Sequence, residues 1–261
     1  MTNPSPPATV LVVADLHLDL WKRTERDPLA ALPAEFWHGL DAVIVAGDLS
    51  NDPLRKWPRH LGRLVARTGP GKVHVIPGNH DYYKLGIDRA DELARLCAEA
   101  GAALALRREL RFGQTRFLCA TLWTDQALAG DLSEGLDLHR IPGPDGRRLN
   151  AEDLLACHRE DLAWIEARLA TPWAGRTVVV THHAPHPGLL GAHVPALFAS
   201  DLGALIVRHA PALWLSGHTH ERTELHLGET ELRNISFGTP SEVSEGMEAE
   251  ILRRGVLRCP T

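Results

Sequence analysis

Cysteine is scarce and poorly placed for pairing. The four residues Cys97, Cys119, Cys157 and Cys259 lie far apart in a chain of 261, and no two form a CxxC pair. They read as unpaired, reduced thiols of a cytoplasmic protein. Long apolar runs are missing as well. No stretch approaches the roughly 20 residues of a membrane helix, so no membrane partner is expected. The opening MTNPSPPATV has neither a basic start nor an apolar core, and it is not expected to act as a secretory signal. Pro4, Pro6 and Pro7 mark 1–8 as a disordered lead-in, with a single domain expected over 9–261. Positive charge is not in excess either. A net charge of −5 argues against a dedicated nucleic-acid binder. The chain is otherwise ordinary, with 44% hydrophobic and 23% charged residues, which excludes a disordered chain. At this length folding buries roughly 70–75% of the unfolded surface, so no disulfide staples are needed.

What stands out is histidine, with 15 residues. Five short apolar runs each end in a polar cluster. VLVVA at 10–14 precedes Asp15-Leu16-His17, and AVIVA at 42–46 precedes Gly47-Asp48. VHVI at 73–76 precedes Pro77-Gly78-Asn79-His80-Asp81, TVVV at 177–180 precedes Thr181-His182-His183, and ALWL at 212–215 precedes Ser216-Gly217-His218-Thr219-His220. Such runs read as strands buried on both faces. Helical patterns fall between them, over 28–38, 58–67, 89–99, 151–170 and 199–210. Pro58 is placed at a first helical position, with Asp88 and Asn150 as N-caps. Strands alternating with helices define an α/β protein. The stretches 103–119 and 223–258 read instead as consecutive short strands added beside the parallel core. Residues 124–149, with IPGPDG inside, read as a long surface loop of the functional kind.

All five polar clusters fall at carboxyl ends of strands, the edge where α/β sheets bind ligands. Asp15 and His17, and likewise His218 and His220, are two residues apart and share a direction in extended chain. Gly47, Gly78 and Gly217 allow a sharp turn or close backbone approach beside each group. The donors are Asp, His and Asn, a nitrogen and oxygen set suited to Mn, Fe, Co, Ni or Zn. Asp15, His17, Asp48, Asn79, His182, His218 and His220 exceed the ligand shell of one ion. They suit two divalent ions sharing a carboxylate, an arrangement fitted to displacement at phosphorus.

The ordered series DLH, GD, GNHD, THH and GHTH, from Asp15 to His220, resembles the calcineurin-like metallophosphoesterases. The resemblance implies a four-layer αββα sandwich of two mixed sheets flanked by helices. It implies Asp15, His17 and His220 on a first metal, Asn79, His182 and His218 on a second, and Asp48 bridging them. His80 takes the place of the family's catalytic histidine, outside the metal shell. The protein Ser/Thr phosphatase branch carries a second aspartate three positions after the bridging one, followed by Arg-Gly. This chain has Asn51 there and no Arg-Gly, so the histidine–aspartate dyad of that branch is not expected intact. Asp52 reads as a cap or turn residue, with orientation of His80 as its alternative.

The function expected is hydrolysis of phosphate mono- or diesters of small molecules. A hydroxide between two ions, with Mn the first choice, attacks phosphorus, and His80 protonates the leaving oxygen. A nuclease and a non-catalytic scaffold are the alternatives. His183 and His186 read as solvated loop residues, with phosphate contact as their alternative, and Trp123 as an aromatic pinning the long loop to the core, with overhang of the substrate pocket as its alternative. His38, His60, His74, His139, His158, His193, His209 and His226 read as surface or satisfied core histidines. The basic run from Arg55 to His60 reads as a solvated helix face, with contact to an anionic substrate as its alternative.

Overall fold

The computed structural model describes residues 6–128 and 135–261. In chain order the elements are β1 Ala8–Val13, α1 Ala34–His38, β2 Ala42–Ala46, α2 Pro53–Thr68, β3 Val73–Ile76, α3 Ala90–Glu99, β4 Ala103–Leu104, β5 Arg108–Phe112 and β6 Thr115–Ala120. They continue as α4 Asp137–Arg140, α5 Ala151–Ala170, β7 Arg176–Thr181, α6 Gly203–His209, β8 Leu213–Ser216, β9 Glu224–Leu227, β10 Thr230–Asn234, α7 Glu248–Arg253 and β11 Val256–Cys259.

The strands form two mixed sheets, ordered β11-β1-β2-β3-β4 and β5-β6-β7-β8-β10-β9. β1 through β4 are parallel, and β11 closes that sheet antiparallel to β1. β6, β7, β8 and β10 are parallel, with β5 and β9 antiparallel at the edges. Alternation along the strands explains the layering. Val10, Val12, Ile44, Phe117, Val178 and Leu215 pack between the sheets. Their neighbours Leu11, Val13, Val43 and Val45 face α1, α2, α3 and α7, while Leu118, Val179 and Trp214 face α5 and α6. Each central strand is therefore apolar on both faces, which is why it reads as an unbroken apolar run.

Several expectations need correction. The pattern at 28–38 splits into a short 3-10 turn, Pro28–Ala30, and α1, because Pro33 sits at the N-cap of α1. α2 begins at Pro53, so Pro58 lies inside the helix, not at its start. Arg89, not Asp88, occupies the N-cap position of α3. α6 is shorter than 199–210, starting where the Gly203 N–H donates to Asp201 Oδ1 at 3.1 Å. In the tail, AEILRR belongs to helix α7 and not to a strand; Glu248 at its start accepts from the Gly246 N–H at 2.8 Å and from Arg26 Nε at 2.7 Å. The 151–170 helix has the expected bounds, with a reciprocal capping box between Asn150 and Asp153. The expected lead-in 1–8 falls partly on 1–5, outside the described residues, and Ala8 already pairs with Cys259. In the long loop, 129–134 lie outside the described residues, and α4 lies just beyond them.

Candidate metal centre

The loops after β1, β2 and β3 from one sheet and after β7 and β8 from the other meet at one edge. Close approach depends on the glycines. A Cβ on Gly47 would stand 2.0 Å from His182 Nδ1, on Gly78 2.3 Å from Asp48 Oδ1, and on Gly217 2.4 Å from the Ala14 side chain. Of the three, only Gly47 has a positive φ. The left-handed backbone falls instead on the polar residues: Asp15, His17, Asp48, His218 and His220 have φ of 56, 40, 57, 66 and 56°. Non-glycine residues avoid that region, and such strain gathers at functional sites.

The donors converge in two groups on either side of Asp48. His17 Nε2 lies 3.2 Å from His220 Nε2, and His220 Nε2 lies 3.6 Å from Asp15 Oδ1. Asn79 Oδ1 lies 2.9 Å from His182 Nε2. Asp48 turns Oδ2 to the first group, 3.6 Å from His17 Nε2, and Oδ1 to the second, 3.5 Å from His182 Nε2. Single donor atoms of His182, His183 and His218 also lie within 4.8 Å of one another. His183 is buried, not solvated, with its ring against Trp123 and His218 at centroid distances of 5.1 and 4.3 Å. His186 caps a turn, accepting from the Gly188 N–H at 3.0 Å.

The donor set fits divalent cations. His182 Nδ1 meets the Ala46 carbonyl at 3.0 Å, so Nδ1 carries the proton and the lone pair sits on Nε2. Asn79 donates Nδ2–H to Asp137 Oδ1 at 2.9 Å, which leaves its oxygen facing that lone pair. Burial keeps His182 neutral by lowering its pKa. Two acceptors thus face each other without a proton between them. Two ligands at right angles on an ion with bonds of about 2.1 Å would lie about 3 Å apart.

The electrostatics point the same way. Burial, reinforced by Asp15 and Asp81, raises the Asp48 pKa well above the carboxylate range. Burial also resists ionisation of Asp15, but the hydrogen bond and charge of His220 hold its pKa below the usual value. Burial lowers His17 to about 4, and His220, despite burial, is raised to about 10 by Asp15 and Glu242. A bound cation would relieve the acidic crowding and replace the His220 proton.

Residues that the sequence reading missed hold these donors. Asp81 accepts from the backbone N–H groups of Asp48 and Gly78 at 2.8 and 2.9 Å and from Trp57 Nε1 at 3.1 Å, tying two of the loops together. Ser236 donates to Asp15 Oδ2 at 2.6 Å, and His220 Nδ1 meets Glu242 Oε2 at 2.7 Å. Tyr83 donates to Asp137 Oδ1 at 2.9 Å and stacks on His80 at 4.3 Å. Of these, only Asp81 stood inside a motif.

His80 sits outside both groups, its Nε2 3.9 Å from Asp48 Oδ2. Its Nδ1 lies 3.0 Å from Asn51 Oδ1. An amide oxygen only accepts, so Nδ1 carries the proton. Asn51 is held in turn, donating Nδ2–H to Asp19 Oδ2 at 3.1 Å, and Lys56 Nζ donates to the same oxygen at 2.7 Å. Asp52 does not orient His80; it is the N-cap residue of α2 and pairs with Lys84 at 3.2 Å. Trp123 is buried and its carbonyl accepts from His158 Nδ1, which pins the start of the long loop to α5.

The sequence profile of the calcineurin-like phosphoesterases matches residues 8–222. The chain is a calcineurin-like phosphoesterase. Among solved structures, the phosphopantetheinyl hydrolase PptH from Mycobacterium tuberculosis superposes with a TM-score of 0.65 at 22% identity, covering 91% of this chain and 92% of that one. GAP50, described as the anchor in the inner membrane complex of Plasmodium, superposes with a TM-score of 0.51 at 12% identity, covering 90% of this chain and 73% of that one. At these identities the likeness concerns the fold. No significant match is found among curated proteins. In this phosphoesterase no helix among the described residues is long and apolar enough to cross a membrane.

Proposed function

We propose that the protein hydrolyses phosphate mono- or diesters of small molecules with two divalent ions. Asp15, His17 and His220 would hold one ion, Asn79, His182 and His218 the other, with Asp48 shared. The observation that carries this reading is the pair of facing acceptors, Asn79 Oδ1 and His182 Nε2, 2.9 Å apart beside a carboxylate that turns one oxygen to each group. Bound there, Mn²⁺, or Fe, Zn, Co or Ni in its place, would activate a water and neutralise charge on the phosphoryl oxygens. His80 would protonate the leaving oxygen as imidazolium, giving up the proton on Nε2 while Nδ1 keeps its own on Asn51. Burial, then His17 and His182, lowers the pKa of the free ring to about 3, so that second proton would have to arrive with the anionic substrate. A cavity of about 380 Å³, lined by Asp48, Asn79, His80, Tyr83, His218 and Glu242 among others, opens over the centre and suits a small molecule. The complete donor set and His80 favour catalysis over a scaffold, which needs neither.

The test is hydrolysis of p-nitrophenyl phosphate and bis-p-nitrophenyl phosphate by Mn²⁺-loaded protein, with and without chelator. Chelator-sensitive turnover supports the reading, and the preferred ester separates monoesterase from diesterase. A phosphopantetheinyl diester is the first natural substrate class to add. No turnover on any ester, in protein holding two metals per chain, overturns it.

A further inference from the structure

The basic run on α2 is solvated at Arg55 and Arg59, as read, and the same residues wall a cavity of about 620 Å³. The opposite wall comes from 18–27, immediately after the Asp15 and His17 motif. α2 carries Arg55, Lys56, Arg59, Arg63 and Arg67 and no carboxylate. Arg55, Arg59 and Arg63 follow one another at four-residue spacing, where like charges oppose helix formation. The opposing wall neutralises part of this charge. Lys56 pairs with Asp19 at 2.7 Å, and Arg63 and Arg67 with Asp27 at 2.6 and 3.4 Å, while Arg26 of the opposing wall is itself held by Glu248 through a 2.7 Å Nε–Oε1 hydrogen bond. The side chains of Lys22, Arg55 and Arg59 have no ion pair or hydrogen bond among the described residues.

Buried polar atoms on the same walls also lack partners. Trp21 is 2% exposed and its Nε1, which can only donate, has no acceptor. His60 is 5% exposed and its Nδ1 has no partner. Its pKa is lowered to about 4 by burial first and then by Arg63, with Asp19 opposing the effect and Arg59 and Lys56 adding to it. Cations without carboxylate partners on both walls of the cavity, Lys22 on one and Arg55 and Arg59 on the other, call for an anion between them. Glu25 opposes it, while Asp19 and Asp27 are already held by Lys56 and Arg63.

We propose that this cavity binds a phosphate group of a small molecule through Lys22, Arg55 and Arg59, at a place separate from the metal centre. Phosphate oxygens suit arginine forks and the lysine ammonium. The cavity communicates with the centre through Asp19, which lines it and also takes the amide hydrogen of the Asn51 that holds His80. The phosphate has two sources, a second phosphate on the hydrolysed substrate or a separate anion. Only this choice of source rests on the hydrolase reading.

The test titrates inorganic pyrophosphate into metal-stripped, full-length protein at physiological salt, followed by calorimetry. Wild-type protein and Asp48→Asn should bind it alike, and a Lys22→Ala, Arg55→Gln, Arg59→Gln variant about tenfold or more weakly, with an unchanged melting temperature. No saturable binding, equal binding by the triple variant, or loss in Asp48→Asn overturns the proposal. Kinetics of the loaded enzyme then assign the source. A KM raised in the triple variant only for substrates with a second phosphate indicates the substrate's own distal group. Pyrophosphate changing the wild-type rate but not that of the triple variant indicates a separate anion. In enzyme that turns over, the absence of both effects would make the bound ion adventitious and overturn the proposal. Failure of the hydrolase reading alone would leave the binding result standing.

Discussion

His80 is oriented from behind by an amide, where the protein phosphatase branch has a carboxylate. Asn51 can serve because Asp19 takes its Nδ2–H and fixes which end faces the ring. Replacing His80 with Ala should cost about 10²–10⁴ in rate on poor leaving groups while metal content stays constant. Asn51→Leu should cost about 10–100-fold on alkyl phosphates, much less on p-nitrophenyl phosphate, and Asn51→Asp should recover most of it. Equal losses on both leaving groups would assign Asn51 a purely structural role. A second orienting residue is Asp137, which takes the other hydrogen bond of Asn79. Asp137→Ala should weaken binding of the ion on the Asn79 side by about 10–100-fold in a metal titration. The sequence placed the facing donors at strand ends, because strand periodicity fixes where such loops begin. It did not reveal Asp19, Asp137 or Glu242. Their contacts depend on loop paths spanning 22 to 58 residues, and no local pattern encodes these.

At the scale of elements, a helix was legible where its caps and its stripe agreed. α5 has both, and Asn150→Ala should destabilise the fold by about 0.5–2 kcal/mol in denaturant titration. α2 shows the converse. Pro58 signals a first helical position, but Pro53 has already opened the helix, and packing of Trp57, Leu61 and Leu64 carries it through the missing hydrogen bond. α7 misled because six residues are too few to separate a helical stripe from a strand. The same α2 holds His60, whose folded pKa of about 4 lies below its ordinary 6.5. Folding favours the neutral ring, so that contribution is intact above pH 6.5 and is lost as pH falls toward 4. Wild-type stability should therefore drop more steeply over this window than that of His60→Gln, by roughly 2–3 kcal/mol in chemical denaturation. Parallel slopes would refute a buried neutral His60.

At the scale of the whole molecule, the proposed metal donors come from both sheets: Asp15, His17, Asp48 and Asn79 follow strands of one, and His182, His218 and His220 follow strands of the other. An ion held by both groups would tie the sheets together at their shared edge. Ligand that binds only the folded chain at 100 times its Kd adds about 2.7 kcal/mol. Loading with Mn²⁺ should raise the melting temperature and chelator should lower it, as scanning calorimetry would register. The four-layer sandwich came from the family resemblance of the motif series, and burial on both faces was legible, since each central strand is an unbroken apolar run. The strand-to-sheet assignment was not, because a parallel crossover leaves no local mark of which sheet it joins.

Five residues of this centre hold left-handed backbone without being glycine. The functional information therefore resides in the main chain as much as in the side chains. Grafting the same seven side chains onto the strand ends of another α/β scaffold would reproduce the list of residues but not their aim. A successful transplant would have to carry the turns themselves, with Gly47, Gly78 and Gly217 beside them, and a host fold stable enough to tolerate them.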